Sequence, residues 1–196
     1  PYSLLILPDE LDGDDQQLAD KLSAYLANGG KILASGTAAV KKDESGFLLP
    51  AYDFDFAGIE SANVSYYRMT QKDDPKLPDL DYNMYCPEGV LFWTKDEVLA
   101  LSVKSYFNRH WDGIHGYFYT PPERETGYAA AAIRSDRTYG RISFSLFKAY
   151  YETAAYPLKA LLRQCLELLL PRPLIKTTNL PSTTRVTLTA SETHAL

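Results

Sequence analysis

The stretch that most restricts the fold is residues 2–36, YSLLILPDELDGDDQQLADKLSAYLANGGKILASG. Leu4 to Leu7 form a short unbroken apolar run that stops at Pro8, the pattern of a strand buried on both faces. The carboxylate-rich DELDGDD follows and supplies good helix N-caps. Leu18, Leu22, Tyr25 and Leu26 then recur at helical spacing, so one face of the next segment is apolar. Gly29 and Gly30 end that helix, and KILAS reads as a second buried strand stopped by Gly36. A strand, a helix and a strand with short connections make a βαβ crossover, whose strands are parallel.

Beyond Gly36 the pattern changes. Residues 37–50 read as a helix stub or loop. YDFDFAGIE alternates, but its acids and Gly58 weaken a strand assignment. ANVSYYRM alternates well enough for a strand, and QKDDPKLPDLDYN reads as surface loop. EGVLFWT and EVLALSVKS read as strands around a KDE turn. GYAAAAIRS and GRISFSLF read as strands of a hairpin joined by DRTY. PLKALLRQCLELLL is an amphipathic helix with Leu158, Leu161, Leu162, Cys165, Leu168 and Leu169 on one side. PRPLIKTTNLPSTT reads as a linker, and RVTLTA as the opening of a further strand. The pattern is α/β with an antiparallel or mixed second half. In such sheets ligands gather beyond the carboxyl ends of the parallel strands, here at Pro8-Asp9-Glu10 and Ser35-Gly36-Thr37.

Bulk properties narrow the function. A formal charge of −5, with no Lys or Arg run longer than two, argues against a nucleic-acid partner. No apolar run approaches the roughly 18–20 residues of a membrane span. Cys86 and Cys165, far apart, form neither a zinc pattern nor a disulfide framework, so a reducing, cytoplasmic setting is expected. Cys165 reads as a buried small hydrophobe.

The candidate chemistry is thin. Ser35-Gly36-Thr37 stands where a nucleophile elbow could form, but such an elbow wants flanking glycines, and serine or threonine after a strand more often caps the next helix. Asp9, Glu10, Asp12, Asp14 and Asp15 cluster without metal-loop spacing and read mainly as helix-capping acids. His110 and His115 are five apart with Gly113 between them, so a helical zinc pair is disfavoured. No metal and no cofactor is expected. An autonomous hydrolase built on Asp9, Glu10 or His110 is the competing view.

One stretch stands out: YFNRHWDGIHGYFYTPPERETGY, residues 106–128, with seven aromatic residues and two of the three histidines. Trp111, Tyr117, Tyr119 and Tyr128 suit three settings: a sugar face, a partner surface, or the domain's own core. Arg109, Glu123, Arg124 and Glu125 read as rim charges or loop-bracing pairs. The candidate substrate or interface residues are Asn108, Arg109, His110, Trp111, His115, Tyr117, Tyr119 and Glu125.

Three segments carry a resemblance: YSLLILPDELDGDDQQLADKLSAYLANGGKILASGTA, YFNRHWDGIHGYFYTPPERETGYAAAAIR and GRISFSLFKAYYETAAYPLKALLRQCLELLLP. Together they span most of residues 2–175. They resemble the class I glutamine amidotransferase-like domain, also called the β-galactosidase trimerisation domain, of multidomain glycoside hydrolases related to α-amylase and fucosidase barrels. The resemblance implies a flavodoxin-like, mostly parallel sheet flanked by helices, with an antiparallel extension. It implies an accessory domain over residues 1–176, lacking its first strand and helix, then a linker and truncated β element over 177–196. It implies an N-terminal (β/α)8 barrel of the same polypeptide, a homo-oligomer and a carbohydrate ligand. The abrupt opening PYSLLILPDE agrees with a segment of a longer chain. Two departures matter. ASGTAA has no Cys at the amidotransferase elbow, so glutaminase activity is not expected. Tyr117 and Tyr119 stand where the subgroup tends to carry histidines, which favours aromatic packing or sugar stacking over a shared polar role.

Overall fold

The computed structural model describes residues 2–9, 16–70, 74, 76–84, 88–111, 113, 114, 116, 119–172, 175, 180, 181 and 184–188. The elements are β1 (Leu4–Leu7), α1 (Gln16–Ala27), β2 (Lys31–Ser35), β3 (Asp55–Ile59), β4 (Ser65–Met69), β5 (Tyr82–Met84), β6 (Val90–Trp93), β7 (Glu97–Ser105), β8 (Pro122–Ile133), β9 (Tyr139–Ile142), α2 (Leu146–Thr153) and α3 (Tyr156–Leu169). The opening unit forms as its periodicity dictates: β1 pairs β2 in parallel, with Leu4 opposite Lys31 and Leu7 opposite Ala34.

The flavodoxin-like expectation is overturned. Seven strands lie in the order β1-β2-β9-β8-β7-β4-β5. Only β1–β2 and β2–β9 are parallel. The pairs β9–β8, β8–β7, β7–β4 and β4–β5 are antiparallel. The architecture is a mixed, curled half-barrel, mostly sheet, with three helices among the described residues. The reason is connectivity. Each parallel pair needs a long crossover, usually a helix. Between β2 and α2, no helix occurs among the described residues, so the strands there turn back on one another.

Smaller expectations shift too. YDFDFAGIE does form a strand, β3, with the register slipping between Phe56 and Gly58. The strands around KDE join different sheets: β6 pairs β3 in a separate two-stranded sheet, and β7 enters the large one. FSLF does not continue a strand, because α2 starts at Leu146. Residues 184–188 carry no strand. Most of the 177–196 segment, together with Glu10, Asp12, Asp14, Asp15, Cys86, Asp112, His115 and Tyr117, lies outside the described residues.

Both faces of the large sheet are covered. On one, α3 buries Leu158, Leu161, Cys165 and Leu169 against Leu33, Tyr67, Leu99, Ile133 and Ile142. Each such side chain contributes about 1.5–3 kcal/mol of burial. A second cluster joins Leu22 and Leu26 of α1 to Phe54, Val90 and Phe92 from the β3–β6 side, with Phe54 and Phe92 stacked at 5.2 Å. No helix among the described residues is long and apolar enough to cross a membrane.

Strand directions place the loop of interest. Since β7 runs antiparallel to β8, and β8 antiparallel to β9, β7 points the same way as β1 and β2. The β7–β8 loop therefore emerges at the carboxyl edge of the parallel strands. Ladder pairing of β8 with β9 ends at Ala131, whereas its pairing with β7 reaches Pro122. Over that span β7 advances only five residues, Ala100 to Ser105, so at about 3.3 Å per residue the two strands run on together for roughly 17 Å past the last β9 pair, and β8 takes up its surplus residues in bulges. A bulge bends this arm. Leu101 faces Ala129 while Val103 faces Glu125, and the extra residues on β8 include Gly127 at φ 83°.

Candidate functional site

Residues 106–121 connect β7 to β8, and their base is built from hydrogen bonds. The Tyr106 N–H donates to Pro121 O at 3.0 Å. Ser105 Oγ donates to Val64 O at 2.8 Å. The Phe107 N–H reaches Thr120 Oγ1 at 3.3 Å. Tyr66 Oη donates to Thr120 O. Asn63, just before β4, clasps the loop from the side. Its Oδ1 accepts from the Arg109 N–H at 2.8 Å, its Nδ2 donates to Arg109 O, and its own N–H donates to Asn108 Oδ1 at 3.2 Å. Two amide side chains thus fix the backbone at 108 and 109.

On that braced base the large rings point away from the core. Trp111 is 69% exposed, Tyr119 66% and Tyr106 64%, with Ile114 at 79%. Trp111 bridges Gly116 across the tip, and a Cβ at Gly116 would lie 3.0 Å from the Trp111 ring. Leaving these side chains in water forgoes stabilisation that core burial would give. Of the three settings open to the aromatic residues, their own core is excluded for Trp111 and Tyr119.

The other candidates take lesser places. Asn108 and His110 are exposed, and the His110 ring Nδ1 lies 3.4 Å from Asn108 O. Arg109 is held through its backbone. Glu125 accepts from Arg68 at 2.8 Å, while Arg68 also clamps Asp81 at 2.7 and 3.0 Å. Glu123 lies 3.9 Å from Lys104. Glu123 and Glu125 thus pair with basic side chains of β7 and β4. Beside the loop base lies a groove of about 420 Å³ between the arm and residues 60–62.

The carboxyl edge of β1 and β2 is occupied structurally. Ser35 is fully buried, and its Oγ donates to Asp9 Oδ1 at 2.6 Å, with Phe144 O 3.0 Å away. It accepts from the Leu146 N–H at 3.2 Å. Asp9 Oδ2 accepts from the Lys148 N–H at 2.8 Å. Asp9 and Ser35 therefore satisfy orphan donors in the first turn of α2. Capping was expected of Asp9; the helix it caps is α2, far away in sequence. Gly36 turns at φ 59°, and a Cβ there would sit 2.9 Å from Ser145 Oγ. This packing, rather than an elbow, accounts for the glycine. Asp9 follows edge strand β1, whereas His110 stands four strands across in sheet order. No hydrogen bond or ion pair joins them. Among the described residues no three His, Cys, Asp or Glu side chains gather as a metal would require.

Sequence reasoning missed a buried ionic cluster below this edge. The side chains of Arg141 on β9 and Asp53 are both inaccessible to solvent and meet at 2.6 Å. Arg141 also donates to Gly36 O at 3.2 Å and Ala38 O at 3.0 Å, and its guanidinium lies 4.0 Å over the Phe47 ring. Tyr139 Oη donates to Asp53 Oδ2 at 2.5 Å. Burial works to lower the Arg141 pKa, but Asp53 overrides it and holds the pKa above its ordinary value. Burial first, then Asp53, raises that of Tyr139, which stays a neutral donor. Every partner in this cluster is satisfied, so its chemistry is cohesion rather than catalysis.

No family model matches the chain, and no match is found among curated proteins. Among solved structures it is similar to alpha-L-fucosidase isoenzyme 2 from Paenibacillus thiaminolyticus, with a TM-score of 0.75 and 27% identity over 86% of this chain. The likeness covers 25% of that chain, so this sequence spans about a quarter of the enzyme's length. A resemblance to part of a glycoside hydrolase therefore stands, and the amidotransferase-like domain type does not follow from it.

Proposed function

We propose that this chain is a non-catalytic accessory domain of a glycoside hydrolase and that loop 106–121 is its docking face. The observation that carries this reading is the 0.75 TM-score at 27% identity to a quarter of an α-L-fucosidase. The loop supports it physically. Trp111, Ile114 and Tyr119 are exposed on a hydrogen-bonded base, and aromatic anchors on a pre-ordered frame bind with little ordering cost. Its partner is the (β/α)8 barrel that carries the glycosidase carboxylates, in the same polypeptide or in a second copy of it. Asp9 and Ser35 favour this over an autonomous hydrolase, because both spend their polar atoms on α2.

The test uses the longer polypeptide in which this sequence would lie. Trp111→Ala is expected to lower its oligomer mass in light scattering or its rate on aryl glycosides. An unchanged mass together with an unchanged rate would reject the docking role.

A further inference from the structure

We infer that Asn63 is the positioning residue of the docking loop: it makes no contact with the partner, and it sets the strength of docking by holding the outgoing limb of loop 106–121 in one conformation. This deepens the docking role proposed above and rests on it.

Asn63 stands on a fixed point of the fold. The next residue, Val64, is 1% exposed and packs with Tyr66 and Val103. Val64 O accepts from Ser105 Oγ at 2.8 Å, which fastens this stretch to the end of β7. An asparagine amide carries an acceptor and a donor side by side, as a peptide group does. Here the acceptor takes the Arg109 N–H at 2.8 Å and the donor meets Arg109 O. The Asn63 N–H adds a third bond, to Asn108 Oδ1 at 3.2 Å. A side chain thus pairs with the loop backbone as a neighbouring strand would. Aspartate would lose the donor and set a carboxylate oxygen against Arg109 O. Glutamine would carry the same amide one methylene too far.

The two limbs of the loop are held differently. The returning limb is tied to the core: Thr120 is 1% exposed, and its carbonyl accepts from Tyr66 Oη. On the outgoing limb, Asn63 supplies every hydrogen bond from residues 108 and 109 to another element among the described residues. Trp111 follows two residues later at 69% exposure, so the placement of its ring depends on that limb and on the bridge to Gly116. With the clasp removed, the limb would have to be ordered at the moment of docking, which weakens binding without loss of any contact.

The test has two arms. In the 196-residue chain, Asn63→Ala is expected to speed amide hydrogen exchange of the Arg109 N–H about tenfold. The Tyr106 N–H, held by Pro121 O, should stay within about twofold. Because Asn63 is exposed, the thermal midpoint should fall by no more than about 4 °C. In the longer polypeptide, Asn63→Ala should weaken docking about tenfold, read from the dependence of oligomer mass on concentration or from the rate on aryl glycosides. Asn63→Asp, which keeps the acceptor alone, should fall between. Trp111→Ala added to Asn63→Ala should cost less than Trp111→Ala alone, because both act through one contact. Unchanged exchange at Arg109 in Asn63→Ala would overturn the inference. So would normal docking by Asn63→Ala beside failed docking by Trp111→Ala, and that result would leave the docking role standing. Normal docking by Trp111→Ala would instead remove the docking role and this inference with it.

Discussion

Changing Asp53 to Asn removes one negative charge from the interior and leaves the side chain's size unchanged. In the native protein Arg141 Nε reaches both carboxylate oxygens, at 2.9 and 3.1 Å, and Nη2 reaches Oδ2 at 2.6 Å. An amide in that place keeps one acceptor and turns a donor toward the guanidinium. Arg141 cannot shed its proton, so a charge stays buried with only carbonyls, Tyr139 and the Phe47 ring to hold it. Breaking a buried pair from one side costs about 3–5 kcal/mol. For a chain of this size each kcal/mol lowers Tm by about 2–4 °C, so a fall of roughly 6–20 °C is expected. Urea denaturation followed by circular dichroism checks the free energy, with an unchanged slope showing that the change lies in stability alone. Tyr139→Phe should cost only about 1 kcal/mol, because Arg141 keeps its carboxylate. A loss under about 1 kcal/mol for Asp53→Asn would show that this cluster does not hold residues 36–53 onto β9, and the reasoning would fail.

Two further predictions follow from single groups. Asp96 accepts from Ser135 Oγ at 2.6 Å and from its N–H at 3.0 Å, tying the β6–β7 turn to the β8–β9 turn. The Ser135 hydrogen bonds hold its carboxyl below the usual carboxylate value. A folded pKa lying below the unfolded one gives stability that is complete above about pH 4 and is lost as pH falls further. Asp96→Asn should flatten that acid limb in denaturation measured from pH 5 downward, and an unchanged limb would contradict the assignment. Burial pushes the Cys165 thiol up to about 12. In a Cys86→Ser background, the native protein should therefore resist Ellman's reagent until urea is added; prompt native reaction would contradict this.

How much of this was legible in the sequence depends on the range of the signal. β1, α1, β2 and α3 were legible because their apolar periodicity is local. The sheet as a whole was not, since β9 inserts beside β2 from far along the chain and no short-range pattern records that neighbour. β3 was obscured by Gly58, which sits at its register slip. β8 was read only from Gly127 onward, because its first half is charged and arms a projecting ribbon rather than a core strand. At the site, the aromatic loop was visible by composition, and its outward exposure agrees with two of the three settings left open and excludes the third for Trp111 and Tyr119. Its anchors were hidden: Asn63 lies 46 residues from Arg109, and nothing local marks it as a clasp. The Asp53–Arg141 pair, 88 residues apart, was hidden for the same reason.

The central claim is that glycoside cleavage requires a reaction centre outside these residues. The most direct measurement compares hydrolysis of aryl glycosides by the isolated 196-residue chain and by the longer polypeptide proposed to contain it. The account predicts turnover by the longer polypeptide and none by the isolated chain above a denatured control. Equal turnover per molecule by the isolated chain would contradict it.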